Sequence, residues 1–259
     1  MNIVVCIKQV PGTTDIKVDP ETNTLVREGV ESIINPFDCY AIEEGARLRD
    51  RFGGKVTVVT MGPPQAEAAL REAISLGADE AVLISDRAFA GSDTWATSYV
   101  LSKTIEKIGE YDVVICGKQT LDGDTGQVGP GVAEMLKIPF IAYVSEIEEI
   151  GDGRLRVRRM VEEGYETIEA GLPAVITVAK EINVPRLPSI RGTMKAKSAQ
   201  VPVWSAADIG AEEDKAGLAG SPTRVVKIFF PKRERNSEML EGSAAEQVDA
   251  LIEKLEGII

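Results

Sequence analysis

Short apolar runs alternate with amphipathic stretches along the first half of the chain. Runs dominated by Val, Ile and Ala predict buried strands, and they cover Asn2–Lys8, Lys55–Met61, Glu80–Ile84 and Tyr111–Gly117. Between them, apolar residues recur every three or four positions, which predicts helices over Asp38–Phe52, Gln65–Leu76, Asp93 or Thr94 to about Ile108, and Gln127–Leu136. Four strand–helix units in succession predict an α/β fold with a doubly wound, mostly parallel sheet.

The pattern changes after residue 142. Three runs predict an antiparallel addition to the sheet, at Val144–Glu149, Leu155–Met160 and Thr167–Glu169, and Ala174–Val178 is expected to rejoin the main sheet. Further on, Gly220–Pro222 is typical of a linker, Val225–Phe230 predicts a strand, and Ser243–Leu255 predicts an amphipathic helix. We therefore divide the chain into an α/β domain, residues 1–220, and an extended C-terminal arm, residues 221–259.

Ligands of parallel sheets bind beyond the carboxyl ends of the strands, so the loops at 8–14, 61–65, 85–93 and 117–127 are the candidates. The stretch Cys116–Pro130 leaves a strand through a glycine-rich turn and enters a helix. Gly123, Gly126 and Gly129 are expected to let the backbone approach a ligand, and Thr125 to cap the helix. The free N–H groups of such a turn suit a phosphate. The alternative is an ordinary glycine-rich turn, since neither a Walker A loop nor a G-x-G-x-x-G fingerprint is present.

Other polar residues near these loops have two interpretations each. The Asn35 amide is suited to reading an adenine edge or a ribose hydroxyl, and Asp38 to capping the helix, although turn formation explains both. Cys6 and Cys116 are interpreted as small buried fillers whose backbones touch a ligand. Asp122 and Asp124 are either an acid–base pair or, as we prefer, solvated turn residues.

Composition removes several classes of function. The chain contains no histidine, which excludes Ser-His-Asp and Cys-His mechanisms and histidine metal sites. Its three cysteines are widely separated, so we expect neither a disulfide framework nor a metal site. A net charge of −12 disfavours nucleic acid and anionic membranes. No apolar run is long enough to span a membrane, so we expect no membrane insertion and a cytoplasmic location.

The segment from Leu155 to Lys197 carries a specific resemblance. Its elements are Val157-x-Arg159, Glu163-Gly164-x-Glu166, Leu172–Val178 (LPAVITV), Asn183-x-Pro185-Arg186, Pro188–Gly192 (PSIRG) and Met194–Lys197 (MKAK). Further blocks that contribute to the resemblance are Val5–Val10, Asn35–Phe37, Thr60–Pro63, Leu76–Asp79, Gly117–Gln119 and Trp204–Gly210. They follow one another in the order found in the family that is named next. Over essentially its whole length, the chain resembles the β (small) subunit of the electron-transfer flavoproteins.

This resemblance implies an adenine-nucleotide-binding, Rossmann-like domain whose C-terminal arm embraces a larger α subunit that holds an FAD. Conventional β subunits hold AMP, and electron-bifurcating ones hold a second FAD. The resemblance implies that no side chain of this subunit is catalytic. It also implies a set of nucleotide contacts, at Cys6, Asn35, Pro36, Phe37, Asp38, Met61, Cys116, Asp122, Gly123, Asp124, Thr125, Gln127, Val128 and Gly129.

Two stretches, Asp122–Pro130 and Arg87–Thr97, resemble the bifurcating group most. This implies FAD as cofactor, NADH as substrate, and an NADH approach at Gly62, Pro63, Phe89, Gly91, Asp93 and Thr94. The partners implied are an acyl-CoA dehydrogenase or related flavoenzyme and ferredoxin or flavodoxin, with docking residues Arg186, Leu187, Ile190, Arg191 and Lys195. The alternatives are a conventional subunit with structural AMP that feeds a quinone reductase, and an unrelated nucleotide-binding regulator. The latter leaves the Leu155–Lys197 signature unexplained.

Overall fold

A computed structural model describes residues 1–12, 32–226 and 237–256 of the chain. Its strands are β1 (Asn2–Cys6), β2 (Gln9–Pro11), β3 (Ser32–Ile34), β4 (Lys55–Met61), β5 (Glu80–Ile84), β6 (Val113–Gly117), β7 (Phe140–Gly151), β8 (Arg154–Val161), β9 (Gly164–Gly171), β10 (Ala174–Val178) and β11 (Val203–Trp204). Its helices are α1 (Pro36–Phe52), α2 (Glu67–Ser75), α3 (Thr94–Ile108), α4 (Val128–Leu136), α5 (Ile190–Ser198) and α6 (Ala244–Glu256).

The largest sheet has the strand order β11-β5-β4-β1-β6-β10-β7-β8-β9, and β2 pairs with β3 separately. Neighbouring strands from β11 to β7 run parallel, whereas β8 is antiparallel to both β7 and β9. The chain begins at β1, adds β4 and β5 on one side, and then places β6 on the other side. The strand order therefore reverses between β1 and β6, which is where open parallel sheets bind ligands. The predicted fold class, a mostly parallel sheet with an antiparallel addition, is confirmed.

Each face of the sheet is covered by its own helices. In β1, Ile3 and Val5 point into one apolar core with α1 and α2, while Val4 and Cys6 point into a second core with α3 and α4. Successive side chains of a strand alternate between faces, so a strand buried on both sides must be apolar throughout. This explains why the central strands are continuous apolar runs.

The predicted strand limits differ in accuracy across the sheet: β1 ends two residues before its predicted end, and β6 begins two residues after its predicted start. β4, β5 and β10 have the predicted limits, but β7, β8 and β9 extend beyond theirs. β8 and β9 carry ion pairs across the strands, such as Arg154–Glu169 and Arg159–Glu166. Charged side chains on these exposed strands interrupt the apolar alternation from which the limits were inferred.

The chain divides into two compact units, Met1–Val226 and Lys227–Ile259. In the first, residues 221–226 contain no strand, and the rest of the predicted strand Val225–Phe230 lies outside the described residues. In the second, α6 has the predicted apolar face, whose side chains are 43–54% exposed, at Val248, Leu251, Ile252 and Leu255. The predicted boundary at residue 220 stays a prediction. Among the described residues, no helix is long and apolar enough to cross a membrane.

Candidate functional site

The reversal point of the sheet contains the two predicted cysteines. Cys6 ends β1, and Cys116, one residue before the end of the adjacent strand β6, lies opposite it in the parallel register. Both side chains are buried in the core beside α3 and α4. A hydrogen bond with Cys6, together with burial, raises the pKa of the Cys116 thiol well above its usual range. This thiol therefore stays protonated at neutral pH, and both cysteines fill space, as interpreted from the sequence.

Asp38 joins the ends of the same two strands. Its buried carboxylate accepts hydrogen bonds from the backbone N–H of Lys8, at 2.7 Å, and from that of Gly117. A Cβ on Gly117 would lie 2.2 Å from Asp38 Oδ1, so only glycine permits this contact. Burial raises the pKa of Asp38 to about 7, although these hydrogen bonds oppose it. The prediction that Asp38 caps α1 is wrong, because the helix begins at Pro36 with Asn35 at the capping position.

Asn35 uses its side chain to hold the loop that follows β6. Its amide donates to the Gln119 carbonyl at 2.8 Å and accepts from the Leu121 N–H at 3.2 Å. The side chain is fully buried, so both ends of the amide are occupied by the protein itself. The expectation that it reads an adenine edge or a ribose hydroxyl does not fit this arrangement. Its role here is to shape the loop from the inside.

The loop 118–127 has further supports. Lys8 Nζ contacts the Asp122 carboxylate at 2.7 Å, and Gln119 donates a hydrogen bond to Asp124. Partial burial raises the pKa of Asp122, but the hydrogen bond and charge of Lys8 outweigh it and hold that pKa below its usual range. The two acids are thus engaged separately rather than as an acid–base pair. Asp124 and Gly126 adopt positive φ angles of 51° and 61°, which tighten the turn.

The end of this loop presents backbone donors. The prediction that Thr125 caps α4 is wrong, because Gln127 occupies the capping position and makes no side-chain cap bond. Among the described residues, none accepts a hydrogen bond from the backbone N–H groups of Thr125 to Gly129. A row of free N–H groups at a helix N-terminus is suited to an oxyanion such as a phosphate. The residues present therefore fit the phosphate of a nucleotide.

The glycines of this stretch serve different purposes. A Cβ on Gly129 would lie 2.6 Å from Thr177 Cγ2, so this glycine lets α4 approach β10. A Cβ on Gly123 would meet only Thr120 Oγ1, at 3.4 Å. Of the three glycines predicted to admit a ligand, only Gly126 adopts the left-handed backbone that favours glycine.

The predicted NADH-approach residues lie in three different environments. Gly62 and Pro63 follow β4 at the partly open edge of the crevice. The Thr94 hydroxyl donates to Gln127 Oε1 at 3.1 Å, which connects the start of α3 to the loop 118–127. Phe89, in contrast, is buried in the core, so its ring does not line the crevice.

Two more residues of that set are occupied within the fold. A Cβ on Gly91 would lie 2.5 Å from Leu218 Cγ, so this glycine accommodates Leu218. Asp93 caps α3 by accepting from the N–H groups of Trp95 and Ala96. Its other oxygen accepts from the N–H and hydroxyl of Thr223. The Asp93 carboxylate therefore has no free oxygen for a second ligand.

The predicted docking residues separate into anchors and exposed groups. Arg186 bonds to Glu43 and Asp50, and Lys195 Nζ donates to the Ala78 carbonyl at 3.0 Å. Both side chains therefore hold the segment against the domain, although the Lys195 side chain is still 46% exposed. Arg191 is exposed, and Leu187 and Ile190 are 87% and 85% exposed.

Sequence reasoning missed Lys8, Gly117 and Gln119, which organise the site through contacts. All three lie in blocks that carry the family resemblance, Val5–Val10 and Gly117–Gln119. Their position in these blocks was the sequence feature that could have identified them as site residues. Their roles depend on strands that are far apart in the chain, so no local pattern reveals them.

Comparison with known proteins agrees with this site. Residues 22–209 match the electron transfer flavoprotein domain family. The chain is 53% identical to the electron transfer flavoprotein subunit beta of Thermoanaerobacterium thermosaccharolyticum, over 98% of each chain. It is 46% identical to the caffeyl-CoA reductase-Etf complex subunit CarD of Acetobacterium woodii, again over 98% of each. It is 49% identical to the protein FixA of Azotobacter vinelandii, over 93% of this chain and 88% of that protein. The chain belongs to the electron transfer flavoprotein family, as its β (small) subunit.

Proposed function

We propose that the crevice between β1 and β6 binds FAD and that this subunit, with its α subunit, oxidises NADH for flavin-based electron bifurcation. The observation that carries the nucleotide part is the row of free N–H groups from Thr125 to Gly129 at the start of α4. These donors would hold a phosphate of the nucleotide. Asp38, Asn35 and Lys8 would keep the surrounding loops in place, since each is already bonded to them.

The chemistry would come from the bound cofactor. FAD, when bound, supplies a ring that exchanges electrons in pairs or singly. The protein's part is to bind and orient the nucleotide, because the chain has no histidine and the Cys116 thiol stays protonated. Hydride transfer from NADH would require proximity and alignment of the two rings rather than a side-chain base.

The bifurcating assignment rests on the resemblance of Asp122–Pro130 and Arg87–Thr97 to that group. In the second stretch, Thr94 is hydrogen-bonded to Gln127, so the two stretches meet at one edge of the crevice. Gly62, Pro63 and Thr94 remain the candidates for NADH approach. Asp93 and Gly91 would contribute through the shape of the 91–94 turn, since both are engaged within the fold.

The second candidate is a conventional subunit with AMP in the same crevice. The buried ring of Phe89 and the covered backbone at Gly91 favour it, because both positions were expected to face NADH. The phosphate site fits either nucleotide. In this alternative, the chain carries dehydrogenase electrons toward a quinone reductase and uses AMP as a structural ligand.

Membership of the family implies an α subunit as the partner of this chain. We propose further that residues 184–198 dock an acyl-CoA dehydrogenase or a related flavoenzyme, with Ile190 as the apolar anchor, because Leu187 and Ile190 are almost fully exposed. The name of the Acetobacterium woodii relative, a caffeyl-CoA reductase-Etf complex subunit, supports a partner that acts on CoA thioesters. Ferredoxin or flavodoxin would be the low-potential acceptor, and the location would be the cytoplasm.

Counting the cofactors of the purified heterodimer tests the main proposal. We expect two FAD per complex, no AMP in the extract of denatured protein, and bleaching of the flavin absorbance when NADH is added without oxygen. The control is a Glu106→Gln variant, because Glu106 pairs with Lys103 near the C-terminus of α3, and it is expected to keep both flavins. One FAD plus one AMP, with no bleaching by NADH, would refute the bifurcating function and support the conventional one.

A further inference from the structure

Residues 183–199 form a segment, here called the docking arch, that is fixed at both ends. At its start, Asn183 Nδ2 donates to the Tyr40 carbonyl and to Glu44 Oε2, both at 3.0 Å. At its end, Arg71 Nη1 donates to the carbonyls of Ala196 and Ala199, at 2.6 and 3.2 Å. The exposed residues Leu187 and Ile190 lie between these two attachments.

One buried carboxylate on α1 holds the first half of the arch. Glu43 Oε2 accepts from the backbone N–H of Arg186 at 3.1 Å and from its Nε at 2.7 Å. Glu43 Oε1 accepts from Arg186 Nη2 at 3.3 Å and from Arg47 Nε at 2.7 Å. The Glu43 side chain is only 5% exposed, and it accepts hydrogen bonds from both the backbone and the guanidinium of Arg186.

We propose that Glu43 is a positioning residue for partner docking, an inference that rests on the docking function proposed for the arch. Glu43 reaches Arg186, which directly precedes Leu187, so it fixes the backbone from which the exposed apolar side chains project. Interface residues that are ordered before binding lose less conformational entropy on association. The carboxylate would thus increase affinity for the partner without touching the partner or the nucleotide.

The electrostatic setting supports this role. Burial raises the pKa of Glu43, but its hydrogen bonds with Arg186 and Arg47 outweigh this and hold the pKa below its usual value. The carboxylate is therefore charged at neutral pH. A charged acceptor with two arginine partners forms stronger hydrogen bonds than a neutral amide, so Glu43→Gln should loosen the arch while preserving the size of the side chain.

The test uses the complete heterodimer in four forms: wild type, Glu43→Gln, Ile190→Asp and the double variant. Glu106→Gln on α3 is the control, because Glu106 also pairs with a basic side chain, Lys103, but outside the arch. Hydrogen exchange of peptides from 184–198 and from 117–129 is measured first. Turnover is then measured against increasing concentrations of a purified acyl-CoA dehydrogenase that the wild-type complex reduces.

In Glu43→Gln we expect faster exchange in 184–198 only, and a KM for the dehydrogenase raised about three- to tenfold. The kcat at saturation and the bound nucleotide should not change. Ile190→Asp should raise the KM more, by about tenfold or above. The two effects should be less than additive in the double variant, because both act on the same contact.

Other outcomes would overturn the inference in distinguishable ways. If Ile190→Asp raises the KM but Glu43→Gln changes neither exchange nor KM, Glu43 has no positioning role and the docking function stands. If Glu43→Gln loses nucleotide or lowers kcat at saturation, its role lies in the stability of α1. If Ile190→Asp has no effect on the KM, the docking function itself is wrong and the inference about Glu43 is lost with it.

Discussion

At the scale of single residues, Asp38 shows burial and hydrogen bonding acting in opposite directions. Two strand-end N–H groups stabilise its carboxylate, yet burial raises its pKa from 3.8 to about 7. Between these two values, the native protein binds a proton that the unfolded chain has released. The contribution of Asp38 to the free energy of unfolding therefore decreases as the pH rises through this window.

Replacing Asp38 by Asn should remove this pH dependence. At pH 4 we expect Asp38→Asn to be destabilised by about 1–3 kcal/mol, since the amide offers one acceptor fewer to the buried N–H groups. From pH 4 to pH 7, the free energy of unfolding of the variant should rise relative to that of the wild type by up to about 4 kcal/mol. This follows from about 1.4 kcal/mol for each unit between the two pKa values. Urea unfolding across this range, with nucleotide removed, measures the difference.

Asp122→Asn provides a control, because its effect on stability should depend on pH in the opposite direction. Lys8 holds the pKa of Asp122 below its usual range, so this carboxylate stabilises the fold at neutral pH and loses its contribution as the pH falls. The variant should therefore be most destabilised near pH 7 and approach the wild type in acid. Parallel pH profiles for the two variants would contradict the assignment of Asp38.

At the scale of elements, the packing of α4 on β10 depends on Gly129. We expect Gly129→Ala to destabilise the domain by about 1–3 kcal/mol, because its Cβ would overlap Thr177 Cγ2 and overpacking of this kind strains a core. The variant should also bind less nucleotide, since the N-terminus of α4 carries the free N–H groups. Thermal unfolding and nucleotide content of the purified heterodimer measure both effects.

Two variants make this prediction specific. Thr177→Ser removes the methyl group but keeps the hydroxyl that accepts from the Tyr143 N–H, so it should rescue Gly129→Ala. In Gly123→Ala, the atom nearest to the new Cβ would be Thr120 Oγ1 at 3.4 Å, which is an ordinary contact distance. This variant should therefore be tolerated. If Gly123→Ala is as damaging as Gly129→Ala, the overlap with Thr177 is not the cause.

The same elements show how far sequence reasoning reaches. The central strands were predictable because burial on both faces requires a continuous apolar run. The carboxyl-end loops followed from the parallel order, and the structure places Cys116–Pro130 at the end of β6, beside β1. The contacts inside the site were not predictable, because Asn35 meets Gln119 and Arg186 meets Glu43 only through long-range folding. Residue types indicated which side chains could bind a ligand. Contacts with residues far away in the sequence determine which of those side chains remain available to do so.

At the scale of the whole molecule, the apolar face of α6 indicates dependence on a partner. Val248, Leu251, Ile252 and Leu255 form one stripe at helical spacing, and each is about half exposed. A stripe of this kind is typical of a surface buried in a subunit interface. Without the α subunit, we expect the chain to self-associate at concentrations where the heterodimer is monodisperse.

Sedimentation velocity of the chain expressed alone tests this expectation. The variant Leu251→Lys/Ile252→Lys should self-associate less than the wild type and should bind the α subunit at least about tenfold more weakly, as expected for the loss of central apolar contacts. Glu253→Lys alters the charge of the same helix next to the apolar stripe and serves as the control. A monodisperse, nucleotide-loaded wild-type monomer would count against the prediction.

The position of β10 has a consequence for how the protein is made. β10 pairs on one side with β6 and on the other with β7, so the nascent chain synthesises both neighbours before the strand that joins them. Until residue 178 leaves the ribosome, the sheet consists of two incomplete parts, and such distant pairing is slow compared with local hairpin formation. The Lys118 N–H donates to the Val178 carbonyl at 3.0 Å, so the loop at the crevice acquires its last backbone support at the same moment. The nucleotide site proposed for this crevice can therefore be completed only after residue 178, about two-thirds of the way along the polypeptide, has been translated.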